Sequence, residues 1–330
     1  MKQKSFWALT LALLLLALPL AGCSACQAQE DLSSDISDLG SSINSALEES
    51  ADSLDDAASD KDLQEYWDDE NTSDSTDNST PSSGSSQAAM STDLDQIGTL
   101  SSKAQGWGPG KTMDENNRPV EAERFQEKYG KYNADFIGSE TEKTVYLTFD
   151  EGYENGYTGQ ILDVLKEKQV TAVFFITMHY AKSNPDLVQR MVDEGHIIGN
   201  HSTKHPNFTE ISLERAQTEL QELQDYMKET YNYDMTLFRF PEGAFTEQML
   251  CLVQSMGYRS VFWSYAYQDW DANKQIGADK ACEKLVDALH PGAIYLLHAV
   301  SQDNANCLGD VIDIIRSKGY TISPYNLGNS

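Results

Sequence analysis

Apolar residues are distributed along this chain in distinct regimes. The first is one unbroken run, Phe6 to Leu20, preceded by Lys2 and Lys4. Next, Leu32, Ile36, Leu39, Ile43, Leu47 and Leu54 recur at near-helical spacing in a polar background, enough for a transient amphipathic helix or a weak heptad seam. The Ser, Gly and Asp between them lower helix propensity, and beyond Asn71 the pattern dissolves into Ser, Thr, Asp and Asn. From Thr144 onward short apolar runs alternate with amphipathic segments. Val145 to Phe149 alternates like a strand, and Val170 to Thr177 is a continuous β-branched and aromatic run suited to a strand buried on both faces. His196–Asn200, Leu237–Phe240, Ser260–Ser264, Ala293–His298 and Tyr320–Ser323 complete the strands. Helices are predicted between them. They span Gly159–Lys168, Pro185–Glu194, a long segment capped by Ser212, Thr246–Met256, Ala278–Leu289 and Asn306–Lys318, with Gly319 as a stop.

Strand and helix that alternate in this way imply parallel strands with helical crossovers, which an open sheet and a closed barrel satisfy equally. In both, ligands sit at the C-terminal edge of the strands. Asp150, His201, Arg239 and His298 all fall at or just past such strand ends.

Composition changes the picture of the first third. Of the net charge of −28, a large share lies between Glu30 and Leu100, where Lys61 is the only cation. Such a stretch, poor in aromatics, cannot bury enough apolar surface to offset the backbone entropy of folding. It reads as a disordered acidic tether over residues 23–105, leaving one folded domain at 106–330, of about 220 residues. Order is expected to resume near Gly106-Trp107-Gly108. The acidic balance argues against nucleic acid as a partner. Residues 1–22 have the charged start, short apolar run and small residues of a secretory signal, and Leu20-Ala21-Gly22-Cys23 resembles a bacterial lipoprotein box. That resemblance implies cleavage before Cys23, lipidation of its thiol, and attachment to the outer face of the cytoplasmic membrane. Cys251, Cys282 and Cys307, an odd number in the folded part, imply no complete disulfide framework.

Four short stretches carry the candidate chemistry. Asp150-Glu151-Gly152 places two carboxylates after a buried strand, where they need pairing, protonation or a cation; a helix cap or solvated turn is the alternative. His201-Ser202-Thr203-Lys204-His205 puts two imidazoles four apart, in a loop rather than a helix because Pro206 follows; they could face one divalent ion. Arg239-Phe240-Pro241-Glu242-Gly243 ends another strand with a guanidinium able to hold a carboxylate. His298 closes the run Ile294 to Leu297, where, taken alone, a satisfied core histidine is the better reading.

Taken together and in order, these motifs resemble the polysaccharide deacetylases of carbohydrate esterase family 4. Thr148-Phe149-Asp150-Glu151-Gly152 is similar to their first motif and His201 to His205 to their second. Arg239 to Gly243 matches the third, Asp269-Trp270 a later acidic-aromatic motif, and Leu296-Leu297-His298 the last. Phe149 to Thr158, Phe262 to Trp270 and the lead-in from Trp107 to Gly138 further resemble the delta-lactam-biosynthetic de-N-acetylases. Members of that branch deacetylate peptide-free N-acetylmuramic acid in spore-cortex peptidoglycan.

The resemblance implies a distorted parallel (β/α) barrel with about seven strands. It also implies a divalent metal, zinc being the expected ion, on His201, His205 and Glu151. Asp150 would be the general base, His298 the acid and Arg239 the partner of Asp150; Asp269 would hold either His298 or Arg239. A backbone N–H near Glu242 would help to stabilise the oxyanion. Tyr153, Pro241, Glu242, Gly243, Trp270 and Leu296 would bind the glycan. Glu151 departs from the family's second Asp, the one feature in favour of the last of three expectations, of which the first is preferred. They are a peptidoglycan deacetylase, a deacetylase of chitin-like or other acylated glycans, and a catalytically silent wall-binding lipoprotein. Oligomeric state is left open.

Overall fold

The computed structural model describes residues 94–327. The signal segment, Cys23, the helical pattern at 32–54 and the acidic stretch up to residue 93 lie outside the described residues. In chain order the strands are β1 (Gln105–Gly106), β2 (Ala134–Asp135), β3 (Thr144–Glu151), β4 (Val173–Ile176), β5 (Ile197–Asn200), β6 (Leu237–Phe238), β7 (Ala244–Phe245), β8 (Arg259–Val261), β9 (Ala293–His298) and β10 (Thr321–Ile322). The helices are α1 (Leu94–Ile97), α2 (Val120–Tyr129), α3 (Thr158–Glu167), α4 (Met178–Ser183), α5 (Pro185–Asp193), α6 (Leu213–Tyr231), α7 (Glu247–Ser255), α8 (Ala278–Asp287) and α9 (Gln302–Ser317).

The seven strands expected from apolar runs all join one parallel sheet, together with the two-residue β2. Its order is β10-β3-β4-β5-β6-β8-β2, with β9 also on β3. Past β8 the chain runs on to a parallel bridge between Tyr265 and Tyr295 of β9, so the sheet curls back toward its own beginning. This is the distorted parallel barrel that the family resemblance implies.

Side chains alternate across a strand, so each strand divides its residues between the barrel interior and the helix-facing outer layer. Tyr146, Val173, Phe175, Leu237, Val261 and Ile294 pack together inside, closed off by Tyr325 from the C-terminal segment. Val145, Leu147, Phe149, Phe174 and Ile176 belong to the larger outer core. One glycine is dictated by this packing. Gly199 is the register partner of Phe175, and a Cβ there would lie 2.4 Å from the Phe175 ring.

Helix starts follow capping chemistry. Ser212 accepts the Arg215 N–H at 3.2 Å and Thr246 the Met249 N–H at 3.1 Å. Two further caps shifted boundaries. Thr177 does not end a strand but accepts the Tyr180 N–H at 3.2 Å and starts α4, which shortens the preceding strand to Val173–Ile176. Ser301 caps α9, which therefore begins at Gln302 rather than Asn306. The packed chain also begins upstream of Gly106. Ile97 of α1 is buried, and the Gln248 side chain donates to the carbonyls of Gly98 and Leu100 at 2.9 and 3.1 Å.

Candidate active site

The C-terminal mouth of the sheet gathers polar side chains above the apolar interior. Asp150 of β3 and His298, the last residue of β9, are register partners on neighbouring strands. Arg239 follows β6 directly, and its N–H donates to the Asn200 carbonyl at 3.0 Å. The guanidinium is fully buried and every bond it makes fixes its position. Nη1 donates to Asp150 Oδ1 at 2.7 Å, Nε to the Val261 carbonyl at 2.9 Å and Nη2 to the Phe262 carbonyl at 3.2 Å. Its Cζ lies 4.2 Å from the ring centroid of Phe175, the ring for which Gly199 leaves room. Burial alone would raise the Asp150 carboxyl, but Arg239, with His201 and His298, outweighs it and holds the group below its ordinary value. Asp150 is therefore a carboxylate with one oxygen engaged.

The second oxygen, Oδ2, lies 3.5 Å from His201 Nε2. His201 sits one residue beyond β5, and its Nδ1 is 2.9 Å from the Arg239 carbonyl. A carbonyl only accepts, so Nδ1 carries the proton and Nε2 keeps its lone pair. The chain then turns through left-handed Ser202 and His205, at φ 71° and 50°, confirming a loop. That loop is tied down at several points. Asn200 Oδ1 accepts the Ser202 N–H at 2.8 Å, Ser202 Oγ the His205 N–H at 2.9 Å, and buried Glu219 of α6 the Lys204 N–H at 2.7 Å. The His201 and His205 rings end 4.8 Å apart. Burial pushes both imidazoles down, His201 against the pull of Asp150, and His205, with His201 beside it, to about 3.

His298 has the opposite character. Its Nδ1 lies 2.7 Å from Asp269 Oδ1, and its backbone N–H donates to Asp269 Oδ2 at 2.8 Å. Burial would lower the imidazole, but Asp269, by charge and hydrogen bond, and then Asp150 raise it above its ordinary value. Between the two partners that the sequence left open, Asp269 thus holds His298. The ring keeps 22 % of its side-chain surface exposed, and Trp270 stands 6.0 Å away, centroid to centroid.

Glu151 requires a correction. As the residue after Asp150 it faces the outer layer, where Glu154 and Tyr180 are its electrostatic neighbours. It is completely buried and neither oxygen has a hydrogen-bond partner. Burial, then Glu154 and Asp150, push its carboxyl well above the ordinary value, so it is neutral. The structure does not bring it to the histidines. Among the described residues, no three His, Cys, Asp or Glu side chains form a metal-binding group. The chemistry of His201 and His205 nevertheless fits a divalent cation: both are neutral, and the His201 tautomer is set by a backbone carbonyl as metal-binding imidazoles usually are. Such an ion would take its remaining ligands from water or substrate.

Of the expected glycan-binding residues, Tyr153 and Trp270 are half-buried, Glu242 is exposed, and Pro241, Gly243 and Leu296 are buried. Pro241–Gly243 form a single 3-10 turn in which Glu242 is left-handed, φ 58°, with Oε2 accepting from Asn207 at 3.2 Å. Gly243 has φ 65°, and a Cβ there would lie 2.8 Å from Trp263, so position 243 tolerates no side chain. Sequence reasoning missed Phe175, Glu219 and Asn304, which support Arg239, the histidine loop and Asp269. Of these, Asn304 left a trace: it lies three residues past a capping serine just after His298.

Comparison with known proteins agrees with this geometry. The polysaccharide deacetylase family model matches residues 137–261. The chain is 47% identical over 217 residues to an uncharacterized 30.6 kDa protein of Geobacillus stearothermophilus, covering 65% of this chain and 81% of that protein. It is 45% identical over 217 residues to the peptidoglycan-N-acetylmuramic acid deacetylase PdaA of Bacillus subtilis, covering 65% of this chain and 82% of that one. The solved structure of Bacillus subtilis PdaA, a family 4 carbohydrate esterase, superposes with a TM-score of 0.65 at 42% identity, covering 68% of this chain and 96% of that one.

Proposed function

The chain belongs to the polysaccharide deacetylase family, and from that premise we propose that it hydrolyses the N-acetyl group of peptidoglycan aminosugars, N-acetylmuramic acid first among them. One observation carries the reading: a carboxylate held ionised and an imidazole held protonatable are register partners at one barrel mouth. Amide hydrolysis needs such an opposed pair. Asp150, with Oδ1 engaged by Arg239, takes a proton from the attacking water as that water's oxygen bonds to the acetyl carbon. His298, its Nδ1 on Asp269, gives a proton from Nε2 to the sugar nitrogen as the C–N bond breaks, leaving acetate and a free amine. Arg239 keeps Asp150 charged and in place throughout. His201 and His205 would hold a divalent cation, zinc by their donor chemistry, which supplies charge to polarise the acetyl carbonyl. Trp270, its ring 6.0 Å from His298, and the Pro241–Gly243 turn after Arg239 would meet the glycan, with Tyr153 as a further contact.

The purified protein with a divalent cation should release acetate from peptide-free glycan strands, and mass spectrometry of the digested product should show deacetylated muramic acid or its lactam. No acetate with any divalent cation sinks the reading. His201→Ala should lower the bound metal of the purified protein; unchanged metal content would move the cation elsewhere.

We further propose that the protein is exported and lipid-anchored through Cys23 to the outer face of the cytoplasmic membrane. Lys2, Lys4, the Phe6–Leu20 run and Leu20-Ala21-Gly22-Cys23 support this. Cys23→Ser should shift the protein out of the detergent-soluble membrane fraction; an unchanged distribution counts against the anchor.

A further inference from the structure

A single tight turn separates the end of β9 from the start of α9, and it delivers to His298 a side chain that none of the sequence motifs contains. Ser301 is the N-cap of α9, with Oγ accepting the Asn304 N–H at 3.2 Å. In a capping box, the side chain three residues past the cap folds back onto the cap's own N–H. Here that N–H donates to the His298 carbonyl at 3.3 Å instead, and the third residue is free for another task. Asn304 Nδ2 donates to Asp269 Oδ2 at 2.6 Å and to the His298 carbonyl at 3.2 Å, while Oδ1 accepts the Tyr267 hydroxyl at 2.5 Å. The amide can have only this orientation, because a carboxylate and a carbonyl accept and cannot donate. Asn304 is 1 % exposed and the Asp269 side chain is fully buried, so neither has water as a substitute partner.

We propose that Asn304, itself held by Tyr267, is a positioning residue for the acid of the reaction. It locks the Asp269 carboxylate in the rotamer that engages both the backbone N–H and Nδ1 of His298, and so fixes where His298 Nε2 points. This rests on the reading of His298 as the proton donor. Without Asn304, Asp269 Oδ2 keeps only the backbone N–H of His298, and the carboxylate is less constrained about its last torsion. The charged and titratable groups facing His298 are Asp269, Asp150 on β3, Arg239 after β6, and His201 and His205 from the loop after β5. Asn304 is neutral, so its loss alters geometry first and local charge little. A misplaced proton donor slows the chemical step without weakening glycan binding.

The test is steady-state acetate release by Asn304→Leu, Tyr267→Phe and His298→Ala in the full-length, metal-loaded protein. Asn304→Leu should lower kcat by about tenfold or more, with KM within about twofold of the parent. Tyr267→Phe leaves the amide in place and should lower kcat by only about two- to fivefold, again at constant KM. The high-pH limb of kcat should move in both variants, since the contact that raises His298 is loosened. If Asn304→Leu fails to fold, Tyr267→Phe decides by itself. Folded variants with unchanged kcat and pH profile, beside an inactive His298→Ala, overturn the positioning role and leave the deacetylase reading standing. A raised KM at constant kcat also overturns it, by placing Asn304 in binding. An active His298→Ala overturns the reading of the acid, and this inference with it.

Discussion

The two faces of β3 hold adjacent carboxylates with opposite fates. Asp150 and Glu151 are consecutive, both are buried, and both stand at the end of the same strand. Asp150 faces the barrel mouth, meets Arg239 at 2.7 Å, and stays ionised below its ordinary range. Glu151 faces the helices, has like-charged neighbours in Glu154 and Asp150, and stays neutral. Burial pushes both in the same direction, so the partner decides the charge. A strand's alternation therefore acts as a chemical sorter: a one-residue step carries a side chain from a reactive environment to an inert one.

The strongest way to break this contrast is to remove the reactive member. Asp150→Asn keeps the shape and a hydrogen bond to Arg239 but cannot take a proton, so kcat/KM for acetate release should fall by about a thousandfold. A loss smaller than about tenfold would mean that the proton leaves by another route, and the division of roles on β3 would fail.

How much of this was legible in the sequence follows from the same geometry. Strand existence was readable because continuous apolar runs such as Val173–Ile176 must be buried on both faces. Asp150, His201, Arg239 and His298 were readable as strand-end residues, and the structure does bring them together at the mouth. The two-residue β2 and the short α4 were not readable, because Ala134–Asp135 is too short for any period and the Thr177 cap looks like a strand residue. Glu151 was placed with the metal by the family resemblance, which matches a motif position but does not say which face of the strand its side chain takes. Asn304 was hidden because its contacts, Asp269 and Tyr267, lie 35 and 37 residues away.

A second, smaller perturbation tests the partner rather than the carboxylate. Arg239→Met leaves Asp150 buried with no guanidinium, which should cost about 3 kcal/mol of stability and most of the activity. It should also reverse the pH dependence that Asp150 contributes. In the parent its depressed value gives stability that is present above the unfolded carboxyl value and lost as pH falls through the folded one. In the variant the carboxyl should rise as Glu151 does, so that its contribution is present at low pH and lost as pH rises. Urea unfolding at a series of pH values measures both slopes. An unchanged slope would mean that His201 and His298 suffice to hold Asp150 ionised.

The mildest change asks whether Glu151 is as inert as its environment implies. Glu151→Gln replaces a neutral carboxylic acid by a neutral amide of the same shape. Activity and bound metal should stay within about twofold of the parent, because the outer face of β3 contributes nothing to the mouth. Stability should nevertheless change, with a definite sign. A carboxyl raised in the folded state gives stability that is full below the unfolded value, about 4.3, and lost as pH rises through the folded value. The Gln variant lacks that loss, so its advantage over the parent should be nil in acid and grow toward alkaline pH. Paired unfolding curves at acidic and alkaline pH read the difference directly. If Glu151→Gln instead releases metal or loses most of its activity, Glu151 belongs to the mouth after all, and alternation along β3 does not separate the two carboxylates.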